Sequence, residues 1–257
     1  MTRSAAVGMA ALALCAALPA HAQDSERWNW RGSLTRGQTL EVRNISGTIR
    51  AEPASGSSVE VTAVKHGEHE DPADVRIEVV EGSDGITICA VYPGRGNTCE
   101  PGGGHMNVRH NDVQVDFEVR VPRGVRFEGS NVNGSVDAIG LEGPAHVHTV
   151  NGNVTLETTA GEASATTVNG SVSATVRGSG GGDLEFSTTN GSVRVALPAG
   201  LGAEITAETV NGGVSSDFPI SLRGRISPRH MSGTIGSGGR RIRLHTVNGE
   251  IRLLSIS

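Results

Sequence analysis

The chain has 257 residues, of which 36 are glycine and only 3% are aromatic, and its formal net charge is −5. This length fits one elongated domain or two small ones, and the few aromatic side chains exclude a large conventional core. No basic run is longer than Arg240-Arg241-x-Arg243, so the charge pattern excludes a nucleic-acid-binding surface.

Residues 1–22 have the pattern of a secretory signal peptide. Arg3 supplies the positive charge, residues 10–18 form the apolar segment, and Ala20-His21-Ala22 is a small-residue cleavage site. The apolar segment is too short to span a bilayer. We therefore expect export to the periplasm or the cell surface, and a mature chain that starts at Gln23 and has no transmembrane segment.

Residues 23–37 are predicted to form an N-terminal arm that contains both tryptophans. Trp28 and Trp30 are two residues apart, so they share one face of an extended segment. Two interpretations are open: an aromatic platform for a sugar ring, or a cap over the open end of the first repeat. The cap is favoured, because an exposed strand edge promotes aggregation.

Residues 38–124 are predicted to form the N-terminal β part of a solenoid. Strands are expected at residues 59–64, 75–80, 86–91 and 113–121, and the glycine- and proline-rich segment 93–111 is expected to be a loop. Cys89 and Cys99 flank the start of this loop. In an oxidising compartment they are predicted to form a structural disulfide.

Residues 125–257 contain regular repeats of the phrase Thr-Val-Asn-Gly-x-Val. Successive corners are 16 to 21 residues apart, and residues on either side alternate between apolar and polar. The predicted fold is an all-β, single-chain β-solenoid, similar to a parallel β-helix, with coils of about 16–21 residues stacked in chain order; a meander of hairpins is the alternative. The predicted corners are Asn133, Asn151, Asn169, Asn190, Asn211 and Asn248, with Gly134, Gly152, Gly170, Gly191, Gly212 and Gly249.

The alternation places each corner asparagine in the inward set, where stacked amides can form a hydrogen-bonded ladder. The preceding residues then point outward, and most of them are valine: Val150, Val168, Val210 and Val247. We expect this stripe either to be covered by the N-terminal strands or to form an interface with a partner chain. The alternative is that valine is there only for its strand propensity. The last coil is expected to be exposed or covered by residues 219–227.

Stacking in chain order also places Glu162, Asp183 and Glu204 in one outward column, seven residues before their corners. Such a column suits Ca²⁺, or the acid and nucleophile of a glycosidase, but a solvated acidic face between arginines is favoured. His146 and His148 share a strand face without a third metal ligand. Because catalytic and cofactor-binding motifs are missing, we predict no catalytic residue, no metal site and no cofactor.

Four features together resemble one family: the leader, the opening Leu40-x-Val42-x-Asn44-Ile45-Ser46-Gly47, the segment Phe117-x-Val119-x-Val121-Pro122, and the repeated Val-Asn-Gly-x-Val. They are similar to the bacterial "putative adhesin" family of exported β-solenoids, the DUF4097 type, over roughly residues 38–255. The resemblance implies a location in the cell envelope and supplies no catalytic residues.

The function expected from these features is non-enzymatic binding to an envelope or surface partner, either a protein or a glycan. A polysaccharide-acting enzyme that uses the acidic column is one alternative. A structural or sensory envelope protein without an external ligand is another.

Overall fold

The computed structural model describes residues 25–178, 180–222 and 227–256, so the predicted signal peptide lies outside the described residues. The regular secondary structure of the described residues is all strand, apart from one short 3-10 helix at Pro72–Asp74. None of its helical segments is long and apolar enough to cross a membrane. The strands are β1 Ser25–Ser33, β2 Thr39–Arg43, β3 Ile49–Pro53, β4 Ser58–His66, β5 Arg76–Glu81, β6 Gly85–Val91, β7 Gln114–Val121, β8 Arg126–Ser130, β9 Val136–Leu141, β10 Ala145–His148, β11 Val154–Thr158, β12 Ala163–Asn169, β13 Val172–Val176, β14 Leu184–Asn190, β15 Val193–Pro198, β16 Ala203–Asn211, β17 Val214–Ser216, β18 Ile220–Leu222, β19 His230–Ile235, β20 Arg240–Asn248 and β21 Ile251–Ile256.

The strands form two facing sheets. Sheet A has ten strands in the order β1-β4-β7-β3-β9-β11-β13-β15-β21-β17, and sheet B has eleven in the order β18-β19-β16-β20-β14-β12-β10-β8-β2-β6-β5. Through the middle of the chain each coil gives one strand to sheet B, turns at the Asn-Gly corner, and gives the next strand to sheet A. Neighbouring coils pair parallel, as in Val136↔Val154↔Val172. This parallel pairing confirms the β-solenoid and rules out a meander of hairpins.

The core lies between the sheets and is built from the inward member of each alternating pair. In β14, Leu184 and Phe186 are buried while Glu185 is exposed, and β12 shows the same pattern with Ala163 and Ala165. Most inward side chains are alanine, valine, leucine or isoleucine. Small residues let the sheets approach closely, which explains how the chain forms a core with so few aromatics.

The coils do not stack in chain order at either end of the solenoid. The first coil, β2 with β3, lies between β6/β7 and β8/β9. The last coil, β20 with β21, lies between β14/β15 and β16/β17. The prediction that the last coil is exposed, or covered by residues 219–227, was therefore wrong. Corner spacing fixes the length of a coil, but any coil with matching alternation can be its neighbour.

Antiparallel strands close both ends of the stack. At one end β4 and β1 extend sheet A and β5 extends sheet B; at the other, β19 pairs antiparallel with β16. Trp28 and Trp30 lie opposite the buried Ala63 and Val61 and pack against the core. The tryptophans are therefore placed as a cap requires, not as an exposed platform.

The long loop between β6 and β7 is fastened to the outer face of sheet B. Cys89 and Cys99 form a disulfide with a Cα–Cα distance of 5.7 Å. The buried carboxylate of Glu41 accepts hydrogen bonds from the backbone N–H of Gly102 at 2.9 Å and the hydroxyl of Thr87 at 3.0 Å. The loop is consequently held at two points, one covalent and one polar.

Candidate interaction surface

The corner asparagines form a continuous ladder of hydrogen bonds along one edge of the solenoid. Asn169 Nδ2 donates to Asn151 Oδ1 at 2.8 Å, and Asn190 Nδ2 donates to Asn169 Oδ1 at 2.9 Å. In stack order the ladder runs Asn133, Asn151, Asn169, Asn190, Asn248, Asn211. These side chains are exposed, so the expectation that they point inward was wrong. The chain turns at the asparagine, and the strict alternation of the strand ends there.

The residue two before each corner asparagine takes the inward position instead; it is threonine at five of the six corners and Asn131 before Asn133. Thr167 is 1% exposed, and its hydroxyl donates to the carbonyl oxygen of Gly152 in the neighbouring coil at 2.8 Å. The same bond recurs from Thr149, Thr188, Thr246 and Thr209 to Gly134, Gly170, Gly191 and Gly249. Sequence reasoning missed this second ladder, although the recurring Thr-x-Asn-Gly phrase carries its signal.

The corner glycines stack so closely that no side chain fits. A Cβ placed on Gly170 would collide with the carbonyl oxygen of Gly152, and φ of Gly170 is +154°. The corresponding clash recurs along the stack, at Gly134, Gly191 and Gly249 among others. Close approach of two backbones is therefore the main reason for glycine here, with the unusual φ as a second.

A column of valines lies beside the asparagine ladder. Val150, Val168 and Val247 are half-buried, Val210 is 52% exposed, and Thr189 interrupts the column. The N-terminal strands lie at one end of the stack and do not cover this column, so that part of the expectation was wrong. Val132, in the same column, lines a small cavity together with Met106 of the long loop.

We call the asparagine ladder and the valine column together the corner ridge. It runs over six coils, which at a strand spacing of about 4.8 Å makes it about 24 Å long. Along the corner ridge a column of polar amides lies beside a column of apolar valine side chains. Each column has one side chain per coil, and Thr189 is the exception in the valine column.

The predicted acidic column is interrupted. Arg241 lies between Asp183 and Glu204 in sheet B, because the last coil is inserted there. Its guanidinium contacts Asp183 at 2.7 Å and holds the pKa of that carboxyl below its ordinary value. The prediction that three carboxylates form one uninterrupted column was therefore wrong. The observed arrangement supports neither a Ca²⁺ site nor a glycosidase pair.

Glu162, at the other end of that column, takes part in a cluster with Arg126, His146 and Ser164. Arg126 binds the carboxylate at 2.9 Å and lowers its pKa. His146 Nδ1 lies 2.7 Å from Ser164 Oγ, and Nε2 lies 3.1 Å from Glu162. This resembles a Ser-His-acid arrangement, but Nε2 also faces the guanidinium of Arg126, which binds Glu162 as well. The four side chains form one polar cluster that links β8, β10 and the start of β12 in sheet B.

A third polar cluster joins the turn after β4 to the end of the long loop. Asp112 accepts hydrogen bonds from the backbone N–H of His69 and Glu70, and lies 2.8 Å from His69 Nδ1. The hydrogen bond between the side chains of His69 and Asp112 raises the pKa of His69 and lowers the pKa of Asp112. Glu68 lies close enough to complete a three-ligand group, but all three side chains are exposed. The cluster acts as a clamp between two loops that are distant in the sequence.

Comparison with known proteins gives a consistent fold. The family model Toastrack DUF4097 matches residues 35–254. A solved structure from Clostridium sporogenes, named a "putative cell adhesion protein", is similar with a TM-score of 0.50 and 13% identity, covering 90% of this chain and 100% of that chain. A "putative adhesin" from Bacteroides fragilis has a TM-score of 0.35 and 13% identity, covering 89% of this chain and 97% of that chain. No curated protein matches the sequence.

Proposed function

The chain belongs to the Toastrack DUF4097 family, and on that premise we propose that it is an exported, non-enzymatic binding protein of the bacterial cell envelope. The corner ridge binds an envelope or surface partner, either a protein or a glycan. The observation that carries this proposal is the exposed, in-register repetition of asparagine and valine along the ridge.

The chemistry of the ridge suits binding through many weak contacts. Each amide inside the ladder uses one N–H and one oxygen lone pair on its neighbours, and keeps a second donor and a second acceptor site for a partner. The valines beside it add apolar area that a soluble protein does not normally expose in a row. Equal spacing allows a long partner to engage several coils at once, so that weak contacts sum to useful affinity.

Location in an oxidising compartment is supported by two features. The leader pattern at residues 1–22 is typical of export, and the Cys89–Cys99 disulfide persists where thiols are not kept reduced. The structural neighbour from Clostridium sporogenes shares the fold, and its name assigns it to cell adhesion.

The enzymatic alternative finds less support. Glu162 and Asp183 are each paired with an arginine, and Asp183 is exposed just before β14. A glycosidase needs one carboxyl group with a raised pKa, whereas the pKa values of both these groups are lowered. Activity of the protein on a panel of polysaccharides that is lost in Asp183→Asn would reverse this conclusion.

The test is binding of purified protein to bacterial envelope fractions. The variant Val168→Lys/Val210→Lys places two charges on the ridge, and Ser173→Lys/Thr206→Lys places the same charges on exposed positions of the sheet faces. We expect the ridge variant to lose at least about tenfold in affinity, since two buried contacts of about 1 kcal/mol each are lost, while the control binds like the wild type.

Equal binding by the ridge variant and the wild type would remove the ridge from the proposal. A wild-type protein that binds no envelope fraction would favour a structural or sensory role without an external ligand.

A further inference from the structure

The last coil occupies a slot between two coils that precede it in the chain. Residues 198–202 lead from β15 to β16 and skip one position in the stack. Residues 236–239 lead from β19 back to β20, which occupies that position. These two connections meet at Gly202, where a Cβ would collide with the carbonyl oxygen of Gly238. The two connections therefore border the slot that β20 and β21 fill.

The last coil matches the slot on both sides. Ile242 lies in register with Leu184 on one side and Ile205 on the other. Thr246 donates to the carbonyl of Gly191 at 2.8 Å, and Thr209 donates to the carbonyl of Gly249 at 2.9 Å. Both corner ladders thus continue through the inserted coil without a break.

The charges make the slot selective for this coil. If β14 paired directly with β16 in the register of the other repeats, Asp183 would lie beside Glu204, and two like charges would stack at one strand spacing. Insertion of Arg241 separates the two carboxylates and pairs with Asp183 at 2.7 Å. On the sheet B side, the slot therefore presents two carboxylates to a strand with arginine at this position.

The connection to the inserted coil is made to change direction easily. Gly236, Gly238 and Gly239 have φ values of +55°, +76° and +124°. Glycine adopts either sign of φ without side-chain strain, so this segment can extend at little cost. Domain swapping exchanges an identical element between two copies about such a hinge, and it is a low-cost route to a dimer.

We propose that the slot between β14/β15 and β16/β17 is an interaction site for a second copy of this chain, which inserts its own residues 240–256. Exchange is reciprocal: each copy fills the slot of the other, and every contact of the inserted coil is formed again between chains. The hinge alone changes conformation, so protein concentration controls the balance between monomer and dimer.

The test uses two variants, each with one added cysteine, at positions that are neighbours only across the slot. Ser192 and Glu250 lie beside each other, each one residue before the start of its strand, β15 or β21, and the Glu250 N–H points at Ser192 Oγ at 3.4 Å. Ser192→Cys protein and Glu250→Cys protein are mixed, unfolded and refolded together at high concentration, then oxidised. We expect a covalent dimer whose peptide map contains the 192–250 disulfide.

The matched control is Thr155→Cys mixed with Ser173→Cys, since these residues are neighbours on β11 and β13 and belong to coils stacked in chain order. We expect no 155–173 disulfide between chains. The double variant Ser192→Cys/Glu250→Cys, refolded at low concentration, must form the bond within one chain, which verifies that the cysteines leave the fold intact.

If the double variant closes within one chain but mixed single variants give no more 192–250 dimer than the control pair at any concentration, the exchange does not occur. Equal cross-linking of both pairs would likewise overturn the proposal, because it would reflect random collision rather than a filled slot.

Discussion

Thr167 and Asn169 provide the sharpest test of which residues hold the corners together. Thr167→Val keeps the shape of the buried side chain but removes the hydroxyl that donates to the Gly152 carbonyl at 2.8 Å. A buried carbonyl without a partner costs about 1–3 kcal/mol, and one additional buried methyl returns up to about 0.8 kcal/mol. We therefore expect a loss of about 1–2 kcal/mol in the free energy of unfolding.

Asn169→Ala removes two rungs of the exposed ladder, to Asn151 and Asn190. Water replaces both bonds at an exposed site, so we expect a loss below about 1 kcal/mol. Thr175→Val is the control, because Thr175 faces outward on β13 and is half-exposed. Its free energy of unfolding should stay within about 0.5 kcal/mol of the wild type.

The assay is urea unfolding followed by far-ultraviolet circular dichroism, with a thermal scan in parallel. For a chain of this size, a loss of 1–2 kcal/mol lowers Tm by about 2–8 °C. A larger loss for Asn169→Ala than for Thr167→Val would refute the conclusion that the inward threonine, and not the asparagine, ties neighbouring coils together.

Three further predictions follow from the same contacts. Gly170→Ala forces a Cβ against the neighbouring backbone and should lower Tm more than any substitution above or abolish folding, whereas Gly181→Ala meets open space and should fold normally. Arg241→Glu adds a carboxylate between Asp183 and Glu204 and so puts four carboxylates in one column with Glu162; it should lower Tm, with a larger loss at low ionic strength than at high salt, because exposed charges are screened. The pKa of His69, followed by NMR, should lie above its ordinary value and return to it in Asp112→Asn. The folded pKa of His69 is raised, so its contribution to the stability of the clamp is present below the unfolded pKa of His69 and is lost as pH rises through the folded pKa of His69. The folded pKa of Asp112 is lowered, so its contribution is lost as pH falls through the folded pKa of Asp112.

The sequence by itself determined the fold class. Alternation of period two, glycine at every corner and a repeat near 20 residues leave few options besides a stacked β-coil, because each signal is local and each has one physical cause. The strands predicted at residues 59–64, 75–80, 86–91 and 113–121 agree within one or two residues with β4, β5, β6 and β7. The pairing of Cys89 with Cys99 was also within reach, since the two are close in the chain.

The orientation of the corner side chains required the structure. Counting by twos through Thr167 and Asn169 assigns both residues to the inward set, yet Thr167 is buried and Asn169 is exposed. The backbone leaves the strand at the corner, so the parity that holds within a strand stops applying there. No property of the asparagine itself shows at which residue that happens.

Only the tertiary structure decided the order of the coils. The residue pattern of β20 fits beside β14 as well as the pattern of β16 does. The 21-residue steps between corners predicted β16 as the neighbour of β14, whereas the neighbour is β20. The two arrangements differ in charge, because the inserted coil places Arg241 between Asp183 and Glu204. The cluster of His146 with Glu162 and the clamp of His69 with Asp112 have the same origin. Each depends on which strands are adjacent, and adjacency is a property of the whole stack and not of any one repeat.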